Sequence, residues 1–476
     1  MEKKKFYITT TIPYVNADPH IGFALEAVQA DVLARHYRNL QHEVFHNAGT
    51  DEHGQKIWEE AENSGENVQK YVDRHVESVE KLKEILNLNY DNFIRTTDEA
   101  HKAAAQELWR LCKENGDIYK AKHKGLYCVG CEKFLTERDL EDGKCPIHPN
   151  KEPVVLEEEN WFFKLKKYES FLKKYLSKQD VIIPEHRLKE AQLFVENGLE
   201  DFSISREKEK LPWGVPVPDD DTQTMYVWFD ALTNYISTLG WPEDKEGKYK
   251  KFWEEGATIQ LAGKDQIRFQ SIMWPAMLKS AGLPAPKQIF YHGFINSGGQ
   301  RMSKSIGNVI EPKDLVERYG TDATRYLLLR HIHPTDDTDV TWEKLDEWYE
   351  ANLVNGLGNL VARVLKLSET HLENPVKVDE EFERLPKEFI SNFSFNEAMD
   401  EIWRLFSNID LHITTTEPYK QIKEDPSKAM SDIEVAVKSL WKWSLWLEPF
   451  LPETSEKIQR AIEENKKPEN LFERKE

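Results

Sequence analysis

The sequence predicts an α/β protein: a doubly wound parallel sheet, split by an insertion and followed by an all-α bundle. Three observations carry this prediction. Strand-like and helical segments alternate over 1–115 and resume over 226–320, as a sheet covered by helices requires. The stretch between them, 116–225, shows no clean alternation and holds three of the four cysteines. From 346 to 476 the apolar residues recur at helical spacing.

The first strand is Phe6-Tyr7-Ile8-Thr9-Thr10-Thr11-Ile12, rich in β-branched and aromatic residues. Pro19-His20-Ile21-Gly22-Phe23 follows, and an apolar-periodic helix begins near Ala24. A strand, a loop and a helix start in that order present unpaired backbone N–H groups and the positive end of a helix dipole, a natural seat for phosphate. Gly22 lets a ligand approach closely and His20 supplies a donor. The next strand, Glu43-Val44-Phe45-His46, ends at Gly49-Thr50-Asp51-Glu52-His53-Gly54. Polar residues at the carboxyl end of a strand are where open α/β sheets bind ligands.

The alternation resumes with Met225-Tyr226-Val227-Trp228-Phe229, then Thr258-Ile259-Gln260-Leu261 and Gln288-Ile289-Phe290-Tyr291. After the flexible stretch Asn296-Ser297-Gly298-Gly299-Gln300 come two cations, Arg301 and Lys304, and two hydroxyls, Ser303 and Ser305. A mobile cationic loop suits a reaction that expels pyrophosphate, because negative charge builds on the phosphates as the bond breaks. Residues 321–345 read as a linker. Beyond it, Ala351–Leu367, Asn396–Phe406 and Ile433–Leu447 have helical periodicity, and Pro449 closes the last. Trp441, Trp443 and Trp446 fit a bundle core, and the end from Glu464 through Lys466-Lys467 reads as frayed.

Composition bounds the function. A net charge of -20 argues against a nucleic-acid partner unless basic residues gather locally. Two groups do: Lys120, Lys122 and Lys124 around His123, and Lys164, Lys166, Lys167, Lys173, Lys174 and Lys178 beside Leu165, Tyr168, Leu172 and Tyr175 at helical spacing. A solvated face is the simpler reading of both. Thr9-Thr10-Thr11 and Asn16-Ala17-Asp18 interrupt any signal-peptide core, and no stretch approaches the roughly 20 apolar residues that span a bilayer. A cytoplasmic protein without a membrane partner is expected.

Cys128 and Cys131 with Cys145 and His148 form a C-x2-C…C-x2-H set. Two turns of this kind place three thiolates and one neutral imidazole around Zn2+, and four protein ligands make the metal structural. A redox C-x-x-C or buried free thiols are the alternatives; a thioredoxin-like motif would not explain Cys145 and His148. Cys112 stands apart as a core residue.

Taken together, Pro19-His20-Ile21-Gly22-Phe23 and Arg301-Met302-Ser303-Lys304-Ser305 resemble the paired HIGH and KMSKS signatures of class I aminoacyl-tRNA synthetases. Further stretches are similar to the methionyl-tRNA synthetases within that class. They are Thr11-Ile12-Pro13-Tyr14-Val15-Asn16, the Gly49–Gly54 segment, the cysteine cluster, Asp201–Arg206 with Trp213-Gly214-Val215-Pro216, Tyr226–Ala231 and Gly263-Lys264-Asp265. The resemblance implies a split Rossmann-type catalytic domain, a zinc-bearing connective insertion, a stem-contacting linker and an anticodon-binding bundle. It implies a ligase that activates L-methionine with ATP and Mg2+, releases pyrophosphate and charges tRNA(Met) for translation. No appended dimerisation module is visible after the bundle, so a monomer is expected.

The resemblance also implies residue roles. Asp51 pairs with the methionine ammonium group, and Ile12, Tyr14, Trp228, Ala231, Leu232, Tyr235, Phe269, Gln270 and Trp274 line the thioether pocket. His20, Gly22, Gly263, Asp265 and Ile295 contact ATP, while Lys304 and Arg301 stabilise charge on the phosphates. Asn359 and Arg363, four apart on one helical face, read the anticodon, with Tyr419 as a stacking platform where the family carries Trp. Phe23 replaces the second histidine of HIGH, and Gln270, preceded by Gln266, stands where many members have a pocket histidine. A class I enzyme for another amino acid, or a tRNA-binding derivative without catalysis, are the rival readings. The first lacks room for an editing insertion; the second is opposed by His20, Asp51, Asp265 and Lys304.

Overall fold

The computed structural model describes residues 3–16, 18–128, 133–135, 140–146, 151–302, 307–378 and 385–475. These fall into two compact units. The first comprises Met1–Pro19, Gln41–Lys81 and Tyr90–Tyr291, and the second His20–Leu40, Leu82–Asn89 and His292–Glu476.

The first unit is organised by a sheet of six strands in the order Asn92–Arg95, Glu43–Thr50, Lys5–Thr9, Ala257–Gly263, Gln288–His292, Ile182–Ile183. Every pairing with a defined register is parallel. Lys5–Thr9 is central because it is apolar on both faces, with Tyr7 and Ile8 fully buried. Thr9 lies level with Asn47 on one side and Gln260 on the other, which brings the carboxyl ends of three strands together. A hydrophobic core that includes Trp109, Trp253, Trp274, Phe163, Tyr291 and the strand residue Tyr7 packs within this unit. Tyr7 ties that core down by donating its hydroxyl proton to the Tyr235 carbonyl at 2.9 Å.

Within the insertion, four strands form an antiparallel sheet in the order Lys133–Leu135, Ile118–Cys128, Val154–Phe163, Phe202–Ser203. The lysine-rich stretch becomes a short 3-10 turn, Leu165–Tyr168, and a helix, Glu169–Leu176. Its expected apolar face is real, since Leu165, Tyr168, Leu172 and Tyr175 are all buried. Several of the cations are engaged internally: Lys167 with Asp117 at 2.6 Å, Lys173 with Glu169 at 2.7 Å, and Lys120 with Asp220 at 2.8 Å. Those charges serve the fold. Met225–Phe229 departs from its expected strand, because the strand stops at Met225, pairs with Ser205–Glu207, and yields to the helix Val227–Leu232.

The second unit is helical apart from a small sheet. The helix Ile21–Asn39 packs with Thr321–His331, which lies in the stretch read as a linker. Arg325 of that helix is fully buried: its guanidinium pairs with Asp31 at 2.8 Å and donates to the carbonyls of Leu86, Pro449 and Phe450. A buried guanidinium is tolerable only with its donors occupied in this way. Asn359–His371, Phe395–Thr416 and Pro426–Leu447 form the bundle.

Three expectations for this unit change. The helix Pro426–Leu447 ends just before Pro449 as expected, but it is not the last: Pro452 starts another, Pro452–Glu463, at a position where its missing N–H costs nothing. The chain after Glu464 is not frayed: Phe472 is buried against Tyr349, whose hydroxyl donates to the Glu473 carbonyl at 2.7 Å. The stretch 296–300 is a tight hairpin. Ile295–Ser297 pairs with Gln300–Arg301 across Gly298 and Gly299, both at positive φ, the backbone that a two-residue turn of the primed type requires. Among the described residues no helix is long and apolar enough to cross a membrane.

Candidate active site

In the first unit the chain emerges from the strand Glu43–Thr50 into a segment pinned at each residue. The Asp51 N–H donates to the Pro13 carbonyl at 2.9 Å and its own carbonyl accepts from Val15 at 3.1 Å, so Asp51 runs parallel to Tyr14. Asp51 is buried. The Glu52 carboxylate accepts two bonds from Arg95, at 2.8 and 2.9 Å, and the hydroxyls of Thr50 and Thr97, both at 2.5 Å. The Trp213 indole donates to the Glu52 carbonyl at 2.6 Å. Gly54 has φ 140°, and a Cβ there would strike the Tyr14 hydroxyl. A Cβ on Gly49 would strike the Ile94 carbonyl and press on Ile12. Glycine at both positions therefore sets where Ile12 and Tyr14 stand.

The aromatic residues form a wall in the same unit. Trp228 stacks on Phe269 with ring centroids 3.7 Å apart and planes 12° from parallel. Ala231, Leu232 and Tyr235 are buried, and Trp274 is wholly buried with its ring 6.0 Å from Tyr235. Phe269 and Gln270 lie on Arg268–Met273, one turn wound as a π-helix, a distortion frequent at functional sites. Gln270 Nε2 donates to the Tyr235 hydroxyl at 2.8 Å. Its Oε1 and the Trp228 indole N–H have no protein partner among the described residues. Gly263 ends the neighbouring strand, and exposed Asp265 follows on the turn Lys264–Gln266. Asp51, Gly263 and Asp265 thus share the carboxyl edge of one parallel sheet.

The second unit holds His20, Gly22, Ile295 and Arg301. His20 is the N-cap of Ile21–Asn39, and its Nδ1 accepts from the N–H groups of Gly22 and Phe23 at 3.1 and 3.3 Å. Two N–H groups expected to be unpaired are therefore occupied. With Nδ1 the acceptor, a neutral His20 carries its proton on Nε2, which is the nitrogen able to donate outward. Gly22 makes the cap possible, since a Cβ there would lie 3.0 Å from the imidazole. Ile295 is buried; Arg301 is exposed, its guanidinium 4.2 Å above the Phe294 ring. Lys304 lies outside the described residues; beyond it Asn308 donates to the carbonyls of Ser297 and Arg301, each at 3.3 Å.

Asn359 and Arg363 are exposed on one helix. Asn359 donates to the Asn355 carbonyl at 3.3 Å, and Arg363 pairs with Asp410. Tyr419, 46% exposed, follows a left-handed turn at Glu417 and donates to the Glu417 carboxylate at 3.2 Å. In the insertion, Cys128 and Cys145 are buried in one small cluster with Leu135. Cys131 and His148 lie outside the described residues, and among the described ones no three His, Cys, Asp or Glu residues gather as a metal site.

The sequence reading missed the partners of His53. Its Nδ1 lies 2.6 Å from Asp230 Oδ2, and the other oxygen of Asp230 lies 2.8 Å from His101 Nε2. Asp230 sits between Trp228 and Ala231 in sequence, but a pairing across 177 residues leaves no local pattern to find.

A family model described as tRNA synthetases class I (M) matches residues 6–152 and 147–365. The methionine–tRNA ligase of Thermotoga maritima is 39% identical over 98% of this chain and 76% of its own length. That of Nostoc sp. is 39% identical over 97% of this chain and 90% of its own. Mycobacterium tuberculosis methionyl-tRNA synthetase, solved in complex with methionyl-adenylate, superposes with a TM-score of 0.89 at 33% identity, covering 96% of this chain and 93% of that one. A parallel sheet with a buried carboxylate at its carboxyl edge, an aromatic stack in the same unit, a second, helical unit, and likeness along nearly the whole length have one explanation: the chain belongs to the class I (M), or methionyl, tRNA synthetase family.

Proposed function

We infer that the protein is a methionine–tRNA ligase. A carboxylate oxygen of L-methionine attacks the α-phosphorus of ATP, the bond to the β-phosphate oxygen breaks, and pyrophosphate leaves. The terminal ribose hydroxyl of tRNA(Met) then attacks the carbonyl carbon of methionyl-adenylate, and AMP leaves. The observation that carries the reading is the buried Asp51 carboxylate, fixed in the unit that holds the Trp228–Phe269 stack. An amino acid needs both, a counter-charge for its ammonium group and a polarizable surface for its thioether.

Ile12, Tyr14, Ala231, Leu232, Tyr235, Gln270 and Trp274 complete the methionine pocket in this reading. His20, through Nε2, and Gly22, Gly263, Asp265 and Ile295 receive ATP, with Arg301 and Lys304 on the phosphates. Mg2+ accompanies the triphosphate and neutralises part of its charge. The protein does little covalent work; it positions reactants and stabilises charge.

Amino-acid-dependent pyrophosphate exchange tests the reading. Methionine should be strongly preferred over leucine, whose branch meets the aromatic wall. Norleucine should be discriminated poorly, because a hydrophobic pocket extracts only about 1 to 3 kcal/mol from a change the size of sulfur to methylene. Leucine as the preferred substrate would refute methionine. In the same assay Gln270→His should be tolerated, whereas Gln270→Leu, which removes the donor to Tyr235, should cost about 1 to 3 kcal/mol in kcat/KM. An unaffected Gln270→Leu enzyme would remove Gln270 from the pocket network.

The exposed Asn359, Arg363 and Tyr419 side chains suit base recognition at the anticodon. Asn359→Ala and Tyr419→Ala should therefore impair aminoacylation of tRNA(Met) and spare pyrophosphate exchange. Equal losses in both assays would assign these residues to the fold.

A structural Zn2+ held by Cys128, Cys131, Cys145 and His148 fits the donor set, and the shared burial of Cys128 and Cys145 supports it. When bound, the ion would cross-link two turns of the insertion. Purified protein should carry one zinc per chain, and chelation should raise hydrogen exchange in the insertion more than in the parallel sheet. Zinc content unchanged by Cys145→Ser would rule this site out.

A further inference from the structure

Methionine activation requires two grips on one small molecule, the ammonium group and the side chain. In the first unit the elements assigned to those grips are distant in sequence: Asp51 follows the strand Glu43–Thr50, and Trp228, Ala231 and Leu232 belong to the helix Val227–Leu232. One buried carboxylate joins them. Asp230, fully buried, has Oδ2 2.6 Å from Nδ1 of His53, two residues beyond Asp51. Its Oδ1 lies 2.8 Å from Nε2 of His101, on the helix Glu99–Glu114. His101 Nδ1 in turn lies 2.8 Å from the Ser237 hydroxyl, on the next short helix, Asn234–Ser237.

Burial alone would push the Asp230 carboxyl up, but the charge and hydrogen bonds of His53 and the hydrogen bond from His101 hold it at about 2. An ionised carboxylate accepts at both oxygens, which makes His53 Nδ1 and His101 Nε2 the donors. The other ring nitrogen of His101, Nδ1, is hydrogen-bonded to the Ser237 hydroxyl. The imidazole of His53 is fixed a second time, edge to face with Trp213, whose indole donates to the Glu52 carbonyl.

We propose that Asp230, held between His53 and His101, is a positioning residue that sets the spacing between the Asp51 carboxylate and the aromatic wall, and so tunes the site to the length of its amino acid. The proposal rests on the methionine reading above. It differs from a merely structural role in what it predicts: losing the charge at Asp230 should loosen the hold on the amino acid and leave ATP alone.

Asp230→Asn keeps the shape. Its amide can accept from one imidazole and donate to the other once that ring changes tautomer, so the variant is expected to fold. Pyrophosphate exchange should show the methionine KM raised about tenfold or more, the scale of one charge-assisted hydrogen bond, with the ATP KM within about twofold of wild type. A folded variant with an unchanged methionine KM, or with equal rises for methionine and ATP, would overturn the proposal. Should Asp230→Asn fail to fold, His53 decides. His53→Asn carries an amide N–H near the Nδ1 position and should retain most methionine affinity, whereas His53→Leu carries no donor and should lose it. Equal behaviour of those two variants would also overturn the proposal. The wild-type amino-acid preference, measured first, separates this outcome from a failure of the methionine reading.

Discussion

Asp51→Ala should weaken methionine binding by about 2 to 5 kcal/mol, roughly thirtyfold to several-thousandfold in KM, with little change in the KM for ATP. The size follows from burial. An exposed ion pair between a carboxylate and an ammonium group contributes about 1 kcal/mol or less, but removing one partner of a buried pair strands the other charge away from water. Asp51 is 6% exposed, and its backbone is held by Pro13 and Val15 whatever the side chain. The substitution should therefore remove the counter-charge and leave the segment in place. Steady-state pyrophosphate exchange with methionine varied at saturating ATP measures this, and equilibrium dialysis with methionine alone separates binding from chemistry. Unaltered methionine affinity would move the ammonium site elsewhere.

How far the sequence spoke for itself depended on whether the deciding interaction was local. The β-branched and aromatic run Phe6–Ile12 located the first strand, which spans Lys5–Thr9 and stops short of the end of that run, and the apolar spacing of Leu165, Tyr168, Leu172 and Tyr175 located a buried face, because both patterns lie within a few residues. The carboxyl edge of the sheet was legible too, since polar residues after a β-run mark it. What escaped was settled at a distance or by a side chain turning back on its own backbone. His20 caps its helix through Nδ1, a rotamer choice that no spacing encodes. Pro452 was obscured by Pro449 three residues earlier, since proline both precedes and follows helices. Phe472 reads as a frayed-end residue until Tyr349 is beside it. Arg325 looks like any helix-surface cation, but Asp31 and three carbonyls draw it inside. The His53–Asp230–His101 chain joins three elements whose residues were individually visible and jointly silent.

Lys304→Ala should slow adenylate formation about a hundredfold while leaving methionine affinity nearly intact, a loss on the order of 3 kcal/mol for one transition-state donor. As the bond between the α-phosphorus and the leaving oxygen stretches, negative charge accumulates on the departing pyrophosphate. A cation that meets that charge lowers the barrier without improving the hold on the amino acid. In sequence, Lys304 follows the hairpin strand Gln300–Arg301. That hairpin is held by described residues on both sides of Lys304 in sequence: the Gly299 N–H donates to the Asp339 carboxylate at 2.6 Å, and the Asn308 amide donates to the carbonyls of Ser297 and Arg301. Single-turnover measurement of adenylate formation, with methionine binding followed separately, decides the matter. An unchanged chemical step with weakened methionine binding would show that Lys304 acts on the amino acid and not on the leaving phosphates.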